Sequence, residues 1–220
     1  MRKIIFILMV ISTHLCAQND WKEYGYFGKV KRMHLVRTVQ SNGEERISHV
    51  IQSFDPKGFE DTIVFKSYFK NNLISHTIRI YQHNDLKKLG WKEYDANYKL
   101  ISYAIIEWQT DTLYKEKTYN ADSTCQGESL CFLNKLGNSY KNENWKMDSL
   151  CHPIFESLVL LNRPKYGAAN RVSMRYENES EFEITDYEIL KKDSHKNPTK
   201  TKGTRNQEII WGLRTYSYYQ

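Results

Sequence analysis

The residues of this chain that could do chemistry are few, and most come in pairs. Glu181 and Glu183 stand two apart in an alternating stretch, so on a strand their carboxylates would share one face about 7 Å apart. Two carboxylates flanking a sugar bond are glycosidase machinery, and that spacing falls between the retaining and inverting separations. Strand surfaces carry such pairs routinely as solvated charge. His34 and His49 flank Asn42-Gly43 and would meet across a hairpin with both imidazoles on one face. Two histidines without a third ligand do not make a metal centre, so no metal and no cofactor is expected. Cys151 and His152 are neighbours, which on a strand point to opposite faces. No G-x-S-x-G, H-E-x-x-H, phosphate-cradling or dinucleotide glycine pattern occurs, so no catalytic residue is assigned.

Aromatic rings are the better binding signal. The chain has sixteen tyrosines and five tryptophans, whose amphipathic rings stack on sugars or on partner proteins. Tyr81, Tyr94, Tyr103, Trp108 and Tyr119 would form a platform on an open sheet if register puts them on one face. The same rings also stabilise sheets as cross-strand pairs, which is the commoner use.

The N-terminus sets the compartment. Arg2 and Lys3 precede an uncharged apolar run, Ile4 to Ile11, and Leu15-Cys16-Ala17-Gln18 ends it. This is the plan of a cleaved secretory signal over residues 1–17, with Gln18 as the mature N-terminus and a periplasmic or extracellular destination. A lipid anchor on Cys16 is disfavoured, because Thr13 and Leu15 occupy places where a lipobox needs a large aliphatic and a small residue. No transmembrane segment is expected in the mature chain, residues 18–220. Without residues 1–17 the formal charge falls from +6 to +4. Its basic character is local to residues 191–220. There Lys191 to Gly203 lacks apolar residues to bury, so 191–206 reads as a solvated loop. No nucleic-acid partner is expected. Three cysteines remain after cleavage; Cys125 and Cys131 would close a short loop, Cys131 and Cys151 a longer one, and the sequence leaves both open.

The elements that must position these groups are strands. Between Val30 and Tyr119 the aromatic residues Phe54, Tyr68, Tyr81, Tyr94, Trp108 and Tyr119 end alternating runs at a period near thirteen. Polar turns follow, such as Asp55-Pro56-Lys57-Gly58 and Asp95-Ala96-Asn97, where Pro presets φ, Gly and Asn accept positive φ, and Asp caps its own backbone. Within a run the period is two: His76, Ile78 and Ile80 oppose Thr77, Arg79 and Tyr81. Asn42-Gly43 marks a type I′ hairpin between strands near 29–40 and 44–54.

Phe54-Asp55-Pro56-Lys57-Gly58-Phe59 resembles the aromatic-Asp-x-x-Gly-x-apolar turn of YD (RHS-type) repeats. Tyr94-Asp95-Ala96-Asn97-Tyr98-Lys99-Leu100 is similar and one residue longer, and Tyr119-Asn120-Ala121-Asp122 is a decayed copy. The resemblance covers about residues 28–124. It implies stacked hairpins in one sheet; there are far too few units for the shell of the large RHS proteins, so their toxin-enclosing function does not carry over.

The second half is less regular. Residues 153–162 read as a short helix or a buried strand, and the segments 181–189 and 208–219 would pair as a hairpin across the basic loop. The expectation is a mainly β fold: one domain, an antiparallel meander of hairpin units forming a twisted open sheet. Functionally the chain reads as an exported non-catalytic interaction or envelope-associated module. A glycan-binding module using the exposed aromatics is the alternative, and a hydrolase of envelope polymer a distant third.

Overall fold

The computed structural model describes residues 20–84, 87–148, 152–162, 170–206 and 208–220. The leader, residues 1–17, and Cys151 lie outside the described residues. A one-turn helix, α1 (Asp20–Tyr24), leads into β1 (Val30–Ser41), β2 (Glu44–Phe54), β3 (Glu60–Phe69) and β4 (Asn72–His83). Then come β5 (Lys88–Asp95), β6 (Leu100–Thr110), β7 (Leu113–Asn120), β8 (Cys125–Leu133) and β9 (Ser139–Met147). The last five are β10 (Pro153–Asn162), β11 (Arg171–Tyr176), β12 (Glu183–Lys192), β13 (Pro198–Arg205) and β14 (Glu208–Tyr218). Each strand pairs antiparallel with the next, and β1 pairs with β14, so the fourteen strands close into a barrel. The antiparallel meander is therefore as expected, but the open sheet is not. Closure pairs Arg32–Gln40 against Ile209–Ser217, a contact no local signal encodes.

The turns show why the sequence folds this way. In four of them one Asx side chain accepts two backbone N–H groups. Asp55 Oδ1 takes Lys57 and Phe59 (2.8 and 2.9 Å), and Asp95 Oδ1 takes Asn97 and Lys99 (2.8 and 2.9 Å). Asn134 Oδ1 takes Leu136 and Asn138 (2.9 and 3.0 Å), and Asp193 Oδ1 takes His195 and Asn197 (3.0 and 2.9 Å). The fourth residue of each, Gly58, Tyr98, Gly137 and Lys196, has positive φ. This is the three-residue hairpin connection, a tight turn closed by a left-handed residue. At the other turn type, Asn42 (φ 50°) and Gly43 (φ 77°) both take the positive φ that a type I′ turn requires.

In the second half one open choice is decided and two expectations are corrected. Residues 153–162 form β10, not a helix, and pair with β9 and β11. The basic run is not one solvated loop. Only residues 193–197 turn, and Pro198–Arg205 is β13, with Thr201 buried on one face while Lys200 and Lys202 lie on the other, over the Trp211 ring. The strands β12 and β14 consequently do not pair; β13 lies between them.

Register fixes which face is inside. Met33, Gln52, Trp91, Ala104, Ile106, Tyr114, Cys131, Thr185, Thr201 and Ile210 are buried and occupy the inner positions of their strands. The alternation is inverted relative to a water-soluble sheet in places: Arg79 and Tyr81 point inward, while Ile78 and Ile80 point outward. Ile80, Ile101 and Ile105 are exposed on the outer wall. Charge interrupts that wall near mid-strand, at Lys66, Lys92, Lys117 with Glu107, and Lys115 with Glu128.

Candidate functional site: a lumen sealed at one end

Residues 20–28 close the end of the barrel where β1 begins and β14 finishes. The helix is held from all sides. Backbone N–H groups of Asp20 and Trp21 donate to Gly58 O (3.0 and 3.3 Å), Trp21 Nε1 donates to Val30 O (2.7 Å), and Asn138 Nδ2 donates to Lys22 O. Asn197 binds Phe27 twice, accepting from its N–H (2.8 Å) and donating to its carbonyl (2.7 Å). Tyr24 and Tyr26 pack edge-on against Phe54, beside Val30, Met33 and Tyr216.

At the centre of the seal is a buried charge cluster. Lys88, at the start of β5, reaches Asp20 Oδ1 (3.0 Å) and Glu23 Oε2 (3.4 Å), and all three side chains are almost wholly inaccessible. Asp20 Oδ2 also accepts the Glu60 N–H (2.6 Å), and Tyr114 donates to Glu23 Oε1 (3.0 Å). Burial opposes charge on Lys88, but the adjacent Asp20 and Glu23 outweigh it and hold the ammonium well above its ordinary range. Glu60 is fully buried. Tyr24 donates to its Oε2 and Gln52 Nε2 to its Oε1, both at 2.8 Å. Burial pushes its carboxyl up to about 8, against the pull of Lys88, so it is neutral at pH 7. The seal thus holds two carboxylates on one ammonium, with a third carboxyl kept protonated.

Beyond the seal the inner wall mixes polar and charged side chains with apolar ones such as Leu35, Val39 and Val50. A cavity of about 610 Å³ lies against β4 to β10, lined among others by Arg79, Glu93, Glu116, Ser129 and Asn144. Arg79 binds Glu93 through Nε and Nη2 (3.1 and 2.6 Å) and lies 3.8 Å over the Trp91 ring. Burial raises the Glu116 carboxyl, with Lys88 and Arg79 opposing. A hydroxyl–amide chain runs from Ser129 to Asn144 to Ser157 (2.8 and 3.0 Å). On the opposite side, a cavity of about 320 Å³ is lined by Arg37, Arg46, Arg205 and Glu208, with Ser41, Asn42 and Glu44 at its rim.

The expected aromatic platform does not share one face. Tyr81 and Trp108 point inward. The Tyr81 ring lies 5.1 Å from Lys88 Nζ, and burial lifts its hydroxyl far above the ordinary range. Trp108 packs on Tyr114 and donates to Lys88 O (2.8 Å). Tyr94, Tyr103 and Tyr119 are on the outer face, Tyr103 stacked on Tyr119 at 5.1 Å. The period-thirteen aromatics divide by barrel end: Phe54, Tyr81 and Trp108, at the sealed end, face in, whereas Tyr68, Tyr94 and Tyr119, at the other, face out.

The remaining expected groups separate as follows. His34 and His49 do meet on the outer face, Nε2 to Nδ1 at 3.1 Å. Burial and the neighbouring His49 and Arg32 lower the His34 pKa. Among the described residues no group of three or more His, Cys, Asp or Glu is placed to hold a metal. Glu183 faces inward and meets Arg205 at 3.5 Å, while Glu181 is exposed before β12 begins, so the two carboxylates do not flank a cleft. Cys125 and Cys131 sit six residues apart on the single strand β8, about 20 Å along it, far beyond bridging distance; the short-loop disulfide is thereby corrected. Cys131 is buried near Ser139 (Sγ to Oγ 3.6 Å), and burial pushes its thiol up to about 12. Sequence reasoning missed the seal altogether. Its only signal was the aromatic density of Trp21, Tyr24, Tyr26 and Phe27 directly after the leader.

No family model and no curated protein matches the chain. Among solved structures it is similar to a porin-like protein from Bacteroides uniformis at 12% identity and TM-score 0.47, over 86% of this chain and 96% of that one. A porin-like protein from Bacteroides vulgatus aligns at 10% identity and TM-score 0.43, over 86% and 98%. A DUF1329 family protein from Desulfovibrio piger aligns at 7% identity and TM-score 0.28, over 84% of each chain. Likenesses this distant assign neither family nor function.

Proposed function

We propose that this chain is an exported, non-catalytic binding module of the cell envelope, a barrel that takes a small hydrophilic solute into a lumen closed at one end. The observation that carries the reading is the Lys88 clamp on Asp20 and Glu23. It fixes residues 20–28 across one end, while the inner wall beyond presents hydroxyls, amides and charges. A stopper held by a buried ion pair suits binding better than conduction. The outer wall supports a water-facing barrel. Lys66, Lys92, Lys115 and Lys117 sit near mid-strand, where a lysine facing lipid at the bilayer midplane costs about 2–4 kcal/mol. Export follows from the leader pattern, and the YD-like turns supply the hairpin unit. Glycan binding by an outer platform is less well supported, since two of its five rings pack the seal.

Native mass spectrometry on protein recovered from the envelope fraction of its host tests this. The mature mass should begin at Gln18 (or its cyclised form), and a fraction should carry a small-solute adduct. Asn144→Trp, which fills the lumen beside Ser129 and Ser157, should remove the adduct. A cytosolic chain, or one that carries no solute even after incubation with sugars and organic acids, would overturn the reading.

A further inference from the structure

The inner wall of the lumen is not uniformly charged. Arg214 on β14 stands opposite Leu35, and Arg37 on β1 stands opposite Gly212 and Ser48. Arg46 on β2 stands opposite Val39. All three are on the inner face, in one diagonal row across three adjacent strands. Diagonal neighbours of this kind are about 7–8 Å apart, within the distance over which like charges repel at low salt.

Among the described residues the row is only partly neutralised. Glu208 is held mainly by Arg205 and also feels the Arg37 charge, both of which lower its pKa, and Arg205 meets Glu183 as well. Glu44, at the rim, pairs with Lys70. The Arg37 Nε is buried without a hydrogen-bond partner. Arg214 Nη1 meets a hydroxyl, Thr201 Oγ1, at 3.3 Å, and Arg46 lies over the Phe69 ring. Space is left beside them. A Cβ on Gly212 would stand 2.5 Å from Thr201 Oγ1 but at an ordinary contact distance, 3.7 Å, from Arg214 Nη1, so glycine here makes room for the Thr201 hydroxyl that Arg214 meets.

From this geometry we infer that Arg37, Arg214 and Arg46 form an oxyanion subsite of the lumen, so that the solute carries a carboxylate or phosphate group. Guanidinium forks match both anions in two-point hydrogen bonding. The opposite wall fits the neutral part of such a solute, because its cations are already committed, Arg79 to Glu93 and Lys146 to Glu177, leaving hydroxyls, amides and the carboxyl of Glu116. This inference rests on the lumen-binding reading and adds the charge of the ligand to it.

Calorimetric titration at low ionic strength tests it with three matched probes: glucose, glucuronate and glucose 6-phosphate. At least one anionic probe should bind saturably, and which one does distinguishes a carboxylate from a phosphate source. Arg37→Gln and Arg214→Gln should each weaken that binding by about tenfold or more, the loss expected for a charge-assisted bidentate contact. The ligand-free variants should fold, because removing a like charge from the row raises the melting temperature at low salt and shrinks its response to sulfate relative to chloride. Equal binding of glucose and the anions, unchanged in both variants, would overturn the subsite and leave the lumen reading standing. If no probe binds and sulfate stabilises no more than chloride in the parent chain, the subsite falls on its own evidence; the adduct experiment then judges the lumen reading separately.

Discussion

Replacing Glu60 with glutamine removes a proton that the folded chain holds and the unfolded chain does not. In the unfolded chain this carboxyl titrates near its ordinary 4.5; in the fold, burial raises it to about 8. A folded-state pKa above the unfolded one gives stability that is fully present below about 4.5 and is lost as pH rises through about 8. At 1.36 kcal/mol per pH unit the full loss is on the order of 5 kcal/mol. That is an upper bound, because relaxation around the Lys88 cluster reduces it. Glutamine keeps the shape: its oxygen can accept from Gln52 Nε2, and its amide can donate to the Tyr24 hydroxyl, which faces Glu60 Oε2 at 2.8 Å. Urea unfolding at pH 5 and pH 9 is the assay. Parent and Glu60→Gln should be nearly equally stable at pH 5. At pH 9 the variant should be the more stable by a few kcal/mol, with its midpoint almost independent of pH where the parent's falls. Glu116 is raised by burial too but is common to both proteins, so it cancels in the difference. A variant less stable than the parent at both pH values, with unchanged pH slope, would refute the protonated Glu60 and the reading of the seal built on it.

Lys88→Met should cost about 3–5 kcal/mol in denaturant unfolding, since it strands Asp20 and Glu23 as buried, unpaired carboxylates, and a loss under 1 kcal/mol would show the seal to be wetter than described. Trp108→Ala should cost about 3–5 kcal/mol through the void it leaves against Tyr114, measured by thermal melting, and should leave glycan retention unchanged because the ring faces the seal. Gly43→Val should cost about 1–2 kcal/mol or more purely through backbone strain, as a Cβ there meets nothing within 4 Å; an unchanged melting temperature would exclude the type I′ turn.

The parts of this fold that are written locally were legible. The Asx turns at Asp55 and Asp95, the Asn42-Gly43 hairpin and the runs between them all depend on residues within five positions of one another. The facing of those runs was not legible, because both faces of the wall carry apolar side chains, Met33 and Ile106 inside and Ile80 and Ile105 outside, so apolar does not mean inside. The strand β13 was hidden too: Pro198–Arg205 alternates threonine and lysine, with no apolar face to announce a strand. The helix-or-strand ambiguity of 153–162 required its neighbours on β9 and β11 to settle it. Lys88 follows a polar turn and reads as solvent-facing. Its two acids lie more than sixty residues earlier, and only barrel closure and the tethering of α1 bring them to it. The His34–His49 pair was legible, since one hairpin register decides it.

Closure through β1 and β14 also constrains the order in which this chain can become stable. Until β14 is in place, the inner hydrogen-bonding edge of β1 and that of β13 are both bare, and together they offer a template for pairing with another chain. Almost the whole sequence separates the two partners, so the last contact to form carries the largest loop-closure cost and makes assembly slow. A chain emerging across a membrane from its N-terminus would hold its seal ready and its seam open until the final dozen residues arrive. That seam is thus the last part of the wall the topology allows to close.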